Sequence, residues 1–312
     1  MARTSSKGRV MKIQKLIGVC VLAFFVAPAF ATLNVFSTVP EWGALAQAVG
    51  GKNVSVFTAT TALQDPHRIE AKPSLIARAR KAQLMIATGA DLEIGWLPMV
   101  QRESGNTAIQ TGQLGYFEAA SFVKKLEVPA RLDRADGDVH AQGNPHIQLD
   151  PHLVLKVAEQ LAKRMAQLDP NSTADYQQGF DDFAKRWKAA MADWEKRAAP
   201  LRGAPVLVQH KSFTYLLDWL GMREVGTLEP KPGVEPTSGQ LAEIVARQKT
   251  TPAKMILRPV YQYDAPAKWV SERTGVPVAV LAFTVGGTAE ANDLFGLFED
   301  TIHRLLKAQE GR

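Results

Sequence analysis

The stretch Ser172–Ala199, STADYQQGFDDFAKRWKAAMADWEKRAA, decides how the rest of the chain can be arranged. Its large apolar residues follow one another at intervals of four, three, four, four and three: Tyr176, Phe180, Phe183, Trp187, Met191 and Trp194. This spacing places them on one face of an α-helix. At ~1.5 Å per residue the helix would be roughly 40 Å long, which exceeds the width of one small domain. The stretch therefore predicts a long helix that packs against two lobes.

Strand-like and helix-like segments alternate on both sides of this helix, which is typical of parallel sheets. The predicted strands are Leu33–Val39, Val54–Thr60 and Leu84–Thr88 before it, and Val206–Gln209, Glu224–Leu228, Met255–Val260 and Val278–Phe283 after it. Residues 106–145 are predicted to be irregular. We therefore predict an α/β fold of two β/α lobes with mostly parallel sheets, joined by one long spine helix. The N-terminal lobe would span residues 32–170, the linking helix 171–200 and the C-terminal lobe 201–312.

Residues 1–31 have the organisation of a signal peptide. Five Lys and Arg residues and no acid accompany an apolar run, Leu16–Phe30, and Ala29-Phe30-Ala31 is typical of a signal-peptidase site. The whole chain has a formal charge of +6, and five of these charges fall in the leader, which leaves +1 for the remainder. We therefore expect export to the periplasm and no nucleic-acid binding.

Cys20, the only cysteine, lies inside this leader. Val19 precedes it after only a few apolar residues, which does not match the position of a lipid-modified cysteine. We therefore expect a mature protein that is soluble, monomeric and not lipid-anchored, with no disulfide. Any metal must then be held by nitrogen and oxygen ligands.

Three of the six histidines are predicted to lie where a strand ends and a helix follows. His67 comes after the second strand, His146 lies four residues before the helix cap at Asp150, and His210 comes directly after the strand at 206–209. In open α/β folds such connections face the crevice that binds ligands. Neutral imidazole suits zinc and similar divalent metals. A metal site between the lobes and three separate surface histidines are both compatible with this spacing.

Three local sequences carry a resemblance to a known family: DPHRIEAKPS at 65–74, GNPHIQLDP at 143–151 and QHKSFTYL at 209–216. They resemble the zinc/manganese solute-binding proteins of bacterial ABC importers, and the similarity covers essentially the whole mature chain. The resemblance implies a divalent metal between the lobes, held by His67, His146 and His210. It also implies delivery of that metal to a membrane permease driven by a cytoplasmic ATPase.

The family's usual fourth ligand, an Asp or Glu after the last strand, is missing from VLAFTVGG at 280–287. Either water or another side chain completes the coordination, and His140 is our preferred substitute. A solvated loop histidine is the competing interpretation of His140. Glu70 is a candidate acceptor that orients His67, although it equally suits the N-terminus of its own helix.

Three imidazoles without a carboxylate favour Zn²⁺ over Mn²⁺, which prefers carboxylate and water. We therefore predict an extracytoplasmic binding protein for a divalent metal, with zinc as first choice and manganese or another divalent metal as alternatives. The rival hypothesis is a zinc-dependent hydrolase, because three histidines and bound water also build catalytic sites. No H-E-x-x-H motif and no oxyanion stabiliser can be named, so we expect no enzyme. A haem- or siderophore-binding relative would instead need a cleft lined by Arg and Tyr.

Overall fold

The computed structural model describes residues 1–3, 32–131 and 140–311. Cys20 and most of the predicted signal peptide therefore lie outside the described residues. Thr32–Arg312 forms one compact unit, so the predicted limits of the two lobes within it stay a prediction. No helix of the described part combines the length and the apolar composition needed to cross a bilayer.

Two parallel sheets of four strands each form the framework. The strands are β1 (Leu33–Ser37), β2 (Val54–Thr58), β3 (Leu84–Ala87), β4 (Tyr116–Glu118), β5 (Pro205–Val208), β6 (Arg223–Thr227), β7 (Met255–Pro259) and β8 (Val278–Leu281). The first sheet has the order β2-β1-β3-β4 and the second has the equivalent order β6-β5-β7-β8. All pairings are parallel, so the carboxyl ends of the strands share one edge in each sheet. The α/β prediction is confirmed.

The described helices are α1 (Pro40–Gly50), α2 (Pro73–Lys81), α3 (Leu97–Ser104), α4 (Pro151–Leu168), α5 (Thr173–Ala198), α6 (Thr214–Leu220), α7 (Ser238–Arg247), α8 (Ala265–Thr274) and α9 (Leu294–Gln309). Helix α5 is the predicted spine and contains 26 residues. Helix α4 begins as its sequence predicts, with Asp150 accepting a hydrogen bond from the amide of His152 and with Pro151 in the first turn. Local capping chemistry therefore sets where α4 begins.

Helix α5 carries the core that the two sheets share. Tyr176, Trp187 and Trp194 are at most 2 % exposed. The ring of Phe298 on α9 lies 5.3 Å from that of Trp187 and 5.1 Å from that of Trp194. One hydrophobic cluster includes these residues together with inner-face residues of both sheets, while the outer face of each sheet has a cluster of its own. The sheets are therefore joined through packed aromatic side chains and not by a flexible linker.

Gly179 allows α5 to approach α1 closely. A Cβ atom at this position would lie only 2.1 Å from the carbonyl oxygen of Val49. Glycine costs about 1 kcal/mol relative to alanine inside a helix. Its presence here is therefore explained by the contact between the two helices.

Two segments before α4 differ from the sequence-based prediction. The sequence predicts residues 106–145 to be irregular, whereas Tyr116–Glu118 forms β4 and pairs with Met85–Ala87. A strand of three residues is too short to show an alternating pattern. The sequence also predicts a helix from Leu92, whereas α3 begins at Leu97 because positive φ angles of 49° and 66° at Ala90 and Asp91 lead into a turn.

Candidate metal centre

Four imidazole rings lie together at the seam between the two sheets. The ring centroid of His67 lies 5.3 Å from that of His140, 5.4 Å from that of His146 and 6.2 Å from that of His210. The His146 centroid is 6.4 Å from His140 and 6.1 Å from His210. Tetrahedral zinc, with bonds of about 2.0–2.1 Å to imidazole nitrogen, places ligating rings about 5 Å apart from centre to centre. The cluster therefore has nearly the dimensions of a metal site.

Three of the ring-to-ring distances are longer than the spacing of about 5 Å in a tetrahedral zinc site. Among the described residues, no group of three or more His, Cys, Asp or Glu side chains is already arranged to hold a metal ion. Cavities of about 200 and 160 Å³ adjoin the rings, the first lined by His67 and His210 and the second by His140, His146 and His210. Open space therefore adjoins all four rings.

His67 lies on the connection between β2 and α2, where Asp65 orients it. The ring Nδ1 is 2.7 Å from Asp65 Oδ1, and the backbone N–H of His67 donates to the same oxygen at 3.0 Å. Burial raises the pKa of Asp65, but the hydrogen bond and the charge of His67 outweigh it and hold this pKa below its usual value. Because Nδ1 faces a carboxylate, Nε2 is the nitrogen available to a metal. It is buried without a hydrogen-bond partner.

His210 follows β5 and is oriented in the same way by Glu229. Its Nδ1 lies 2.6 Å from Glu229 Oε2, which also accepts a hydrogen bond from the amide of Gly233 at 2.8 Å. Glu229 follows β6, and its amide donates to the carbonyl of Gln209 at 3.1 Å. The parallel pairing of β5 and β6 thus brings Glu229 to His210 and leaves Nε2 available to a metal.

His146 is the most deeply buried of the four rings, with 1 % of the residue exposed. Its Nδ1 has no hydrogen-bond partner. Burial, and after it the neighbouring imidazoles of His67, His210 and His140, hold the pKa of His146 well below its usual value. The ring is therefore neutral at physiological pH and can offer a lone pair to a metal.

His140 belongs to the region 106–145, which the sequence predicts to be irregular. The structure brings its ring to the cluster. Its ring stacks on that of His67 at an interplanar angle of 27°. The next residue, Ala141, donates its amide to Asp91 Oδ2 at 3.1 Å, which anchors this end of the segment to the connection after β3. His140 therefore lies beside His67 at the seam.

Glu70 does not lie against His67. Its side chain is 80 % exposed and pairs at 3.9 Å with Lys72, so Asp65 takes the place that the sequence hypothesis assigns to Glu70. Asp65 has a sequence signal, since it lies two residues before His67. Glu229 has none, because its contact with His210 depends on the pairing of β5 and β6.

Two other histidines lie outside the cluster. His152 pairs through Nε2 with Glu195 at 2.8 Å and thereby joins α4 to α5. His303 is exposed on α9. Neither ring contacts another imidazole in the described part of the chain.

The segment after β8 supplies an aromatic ring where the family resemblance predicts a carboxylate. Phe283 packs edge-on against His146, with ring centroids 5.1 Å apart.

The next residue, Thr284, donates its hydroxyl to Glu41 Oε2 on α1 at 2.5 Å. Glu41 is buried; burial, opposed by this hydrogen bond and reinforced by the charge of Glu93, raises its pKa to about 7. The seam therefore contains a carboxyl group that is partly protonated near neutral pH.

Comparisons with known proteins agree with this architecture. A family model described as "ZnuA: Zinc-uptake complex component A periplasmic" matches residues 35–308. SloC of Streptococcus mutans, named a metal ABC transporter substrate-binding lipoprotein, is 23% identical over 298 residues, which cover 91% of this chain and 94% of SloC. PsaA of Streptococcus pneumoniae, named a manganese ABC transporter substrate-binding lipoprotein, is 22% identical over 281 residues, 89% of each chain. The crystal structure of ZnuA superposes with a TM-score of 0.74 at 20% identity, over 89% of this chain and 99% of ZnuA, which shows a common fold.

We expect the free energy of unfolding to fall as pH rises from about 4.5 to about 7, because Glu41 loses its proton over this range. The unfolded chain releases this proton near the usual carboxyl pKa of 4.5, whereas the folded chain keeps it to about pH 7. The stabilisation is therefore complete below the first value and is lost as pH passes the second. At 1.36 kcal/mol per pKa unit the change is on the order of 3 kcal/mol. Glu41→Gln should remove it, as measured by urea unfolding at pH 5 and pH 8.

The matched control is Glu103→Gln, which removes the charge of an exposed carboxylate on α3. Its stability profile should run parallel to that of the wild type. A Glu41→Gln profile that also runs parallel to the wild type would show that the buried carboxyl does not carry this proton.

Proposed function

The chain belongs to the ZnuA family of periplasmic zinc-uptake components, and we propose that it captures a divalent transition metal, zinc first, between its two lobes and delivers it to the permease of an ABC importer. His67, His146 and His210 are the proposed protein ligands. The metal is cargo and not a resident cofactor. The proposed working form is a monomer that hands its ion directly to the membrane permease.

The observation that carries this proposal is the meeting of imidazoles from both halves of the chain. His67 and His146 come from connections around the first sheet, and His210 comes from the second sheet. Nε2 of His67 and Nδ1 of His146 are buried without partners, and buried polar atoms without partners are costly. A bound cation would satisfy both atoms. Two of the rings also have a carboxylate at Nδ1, the arrangement that orients histidine ligands around metals.

Zinc is the first choice because the donors are neutral imidazoles. Asp65 and Glu229 lie behind His67 and His210 at 2.7 and 2.6 Å, where they orient the rings without being direct ligands. Mn²⁺ favours carboxylate and water ligands. Manganese remains the second choice, since the relative PsaA is named for it.

His140 is the proposed fourth ligand, with water as the alternative. The stacking of its ring on His67 at a centroid distance of 5.3 Å brings it within the spacing of the other rings. Phe283 packs edge-on against His146, and residues 280–287 include no carboxylate. A fourth imidazole would keep the donor set neutral and strengthen the preference for zinc.

The hydrolase alternative is not favoured. The family consists of periplasmic binding components of metal-uptake complexes. A catalytic zinc site also needs a positioned base next to the metal-bound water. The carboxylates closest to the rings, Asp65 and Glu229, are instead bonded to His67 and His210.

The proposed location is the periplasm, where the protein would be released after removal of residues 1–31. The family is described as periplasmic, whereas the relatives SloC and PsaA are named lipoproteins. The position of Cys20 behind Val19 supports release over anchoring.

Zinc is expected to raise the melting temperature of the mature chain. A ligand that binds only the folded state stabilises it by about 2.7 kcal/mol at a free concentration 100 times its Kd.

His146→Ala and His210→Ala each remove a donor from one side of the seam. Each should weaken zinc binding roughly 100-fold or more. Loss of a residue that only hydrogen-bonds to a metal ligand typically costs 10–100-fold in affinity. Calorimetric titration against a competing chelator measures the affinity.

His303→Ala is the control, because this ring is exposed on α9 and should bind zinc as the wild type does. His140→Ala separates the two candidates for the fourth position, since an unchanged affinity assigns that position to water. Equal losses in the His146, His210 and His303 variants would refute the ligand assignment. The transport proposal fails if no divalent metal shifts the melting temperature of the wild type.

Release into the periplasm predicts that the mature protein appears in the osmotic-shock fraction without detergent, and that Cys20→Ala leaves this unchanged. Cell fractionation followed by immunoblotting measures both. Recovery only from the detergent phase, with release on the Cys20→Ala change, would show a lipid anchor like that implied by the names of the relatives.

A further inference from the structure

Asn144 joins the two histidine segments that meet at the seam. It is 7 % exposed and lies two residues before His146. Its side-chain Oδ1 accepts a hydrogen bond from the amide of His146 at 3.0 Å. Its Nδ2 donates to the carbonyl oxygen of Lys211 at 2.9 Å, and Lys211 directly follows His210. One amide side chain therefore bonds to the backbone of both segments.

We call the bonds from Asn144 to the backbone of His146 and Lys211 the Asn144 joint. Glu127, on the loop after β4, also bonds to it. Its Oε2 lies 2.9 Å from Asn144 Nδ2 and accepts from the hydroxyl of Thr214 at 3.0 Å, while its Oε1 accepts from Lys211 Nζ at 2.7 Å. The backbone of Glu127 has φ 51°, which non-glycine residues adopt only where surrounding contacts impose it. Burial raises the pKa of Glu127, but the hydrogen bonds from Lys211 and Asn144 outweigh it and hold the pKa below its usual value.

Tyr215 on α6 fixes the backbone of the same joint. Its hydroxyl accepts from the amide of Leu126 at 3.0 Å and donates to the carbonyl of Asn144 at 2.7 Å. The amide of Asn144 in turn donates to the carbonyl of Leu126 at 2.8 Å. Backbone and side chain of Asn144 are therefore both tied to the loop after β4 and to the segment after β5.

We infer that Asn144 is a positioning residue, whose side-chain amide sets the separation between His146 and His210 and thereby the affinity and geometry of the metal site. The inference rests on the proposed function, since the two rings must share an ion for their separation to matter. Their centroids are 6.1 Å apart. Outer contacts that hold metal ligands in place typically contribute 10–100-fold to affinity.

The joint requires an amide and not a carboxylate. Asn144→Asp keeps the shape of the side chain and the acceptor for the amide of His146. It removes the N–H donors to Lys211 and Glu127, and it places a second carboxylate where Nδ2 now lies 2.9 Å from Glu127. Like charges at such a distance repel each other. The change should therefore separate the two segments at this side of the seam.

The test compares wild type, Asn144→Asp and the double variant Asn144→Asp with Glu127→Gln, all in the mature protein. Asn144→Asp should weaken zinc binding roughly tenfold or more and should change the visible absorption bands of bound Co²⁺. The double variant removes the repulsion between the two carboxylates but still lacks the donor to the Lys211 carbonyl, so it should regain only part of the affinity. A general loss of stability would not be reversed in this way.

Asn106→Asp is the matched control, because Asn106 makes the same kind of bonds within the first lobe. Its Nδ2 donates to the carbonyls of Ala79 and Ala82 at 3.0 and 2.7 Å, and its Oδ1 accepts from the amide of Ala108 at 3.1 Å. This variant should lower the melting temperature and leave zinc affinity and the Co²⁺ spectrum unchanged.

The results separate failure of this inference from failure of the proposed function. Wild-type affinity in Asn144→Asp, or full recovery in the double variant without the bond to the Lys211 carbonyl, would overturn the role of the Asn144 amide. Absence of metal binding in the wild type would overturn the proposed function and the inference with it. If Asn144→Asp does not fold, Asn144→Ala removes the donors without adding charge, and a loss of affinity is expected that Glu127→Gln does not rescue.

Discussion

The arrangement depends on holding several imidazole rings close together at a buried seam. Protonation of any of them would place positive charge beside its neighbours, and burial already penalises a charge on His146. Asp65 and Glu229 orient two of the rings through Nδ1 and leave Nε2 for another partner. Nitrogen donors that are held in place and have no protein partner favour a cation. This links the local hydrogen bonds to the capture of a metal.

The rest of the fold brings these rings to one place from distant parts of the chain. Both sheets have the same strand order and present the carboxyl ends of their strands along one edge. Helix α5 joins them through a shared, closely packed aromatic core. At the seam itself, Glu41 bonds to Thr284 and Asn144 bonds to the carbonyl of Lys211.

Much of this organisation could be predicted from local patterns. The spacing of apolar residues between Tyr176 and Trp194 was enough to locate α5, because one helix face repeats every three or four residues. Position at strand-to-helix connections left a shared site and separate surface histidines both open, and the family resemblance favoured the shared site. Glu229 could not be predicted, since its contact with His210 depends on the register of β5 and β6. The bond between Glu41 and Thr284 joins residues 243 positions apart and has no local signal.

The most direct measurement is the anomalous scattering of zinc in crystals of the zinc-loaded mature protein. We expect one strong peak at the seam, about 2.0–2.1 Å from Nε2 of His67, Nε2 of His210 and a ring nitrogen of His146. A zinc ion held by residues of only one lobe, or located away from these three rings, would contradict it.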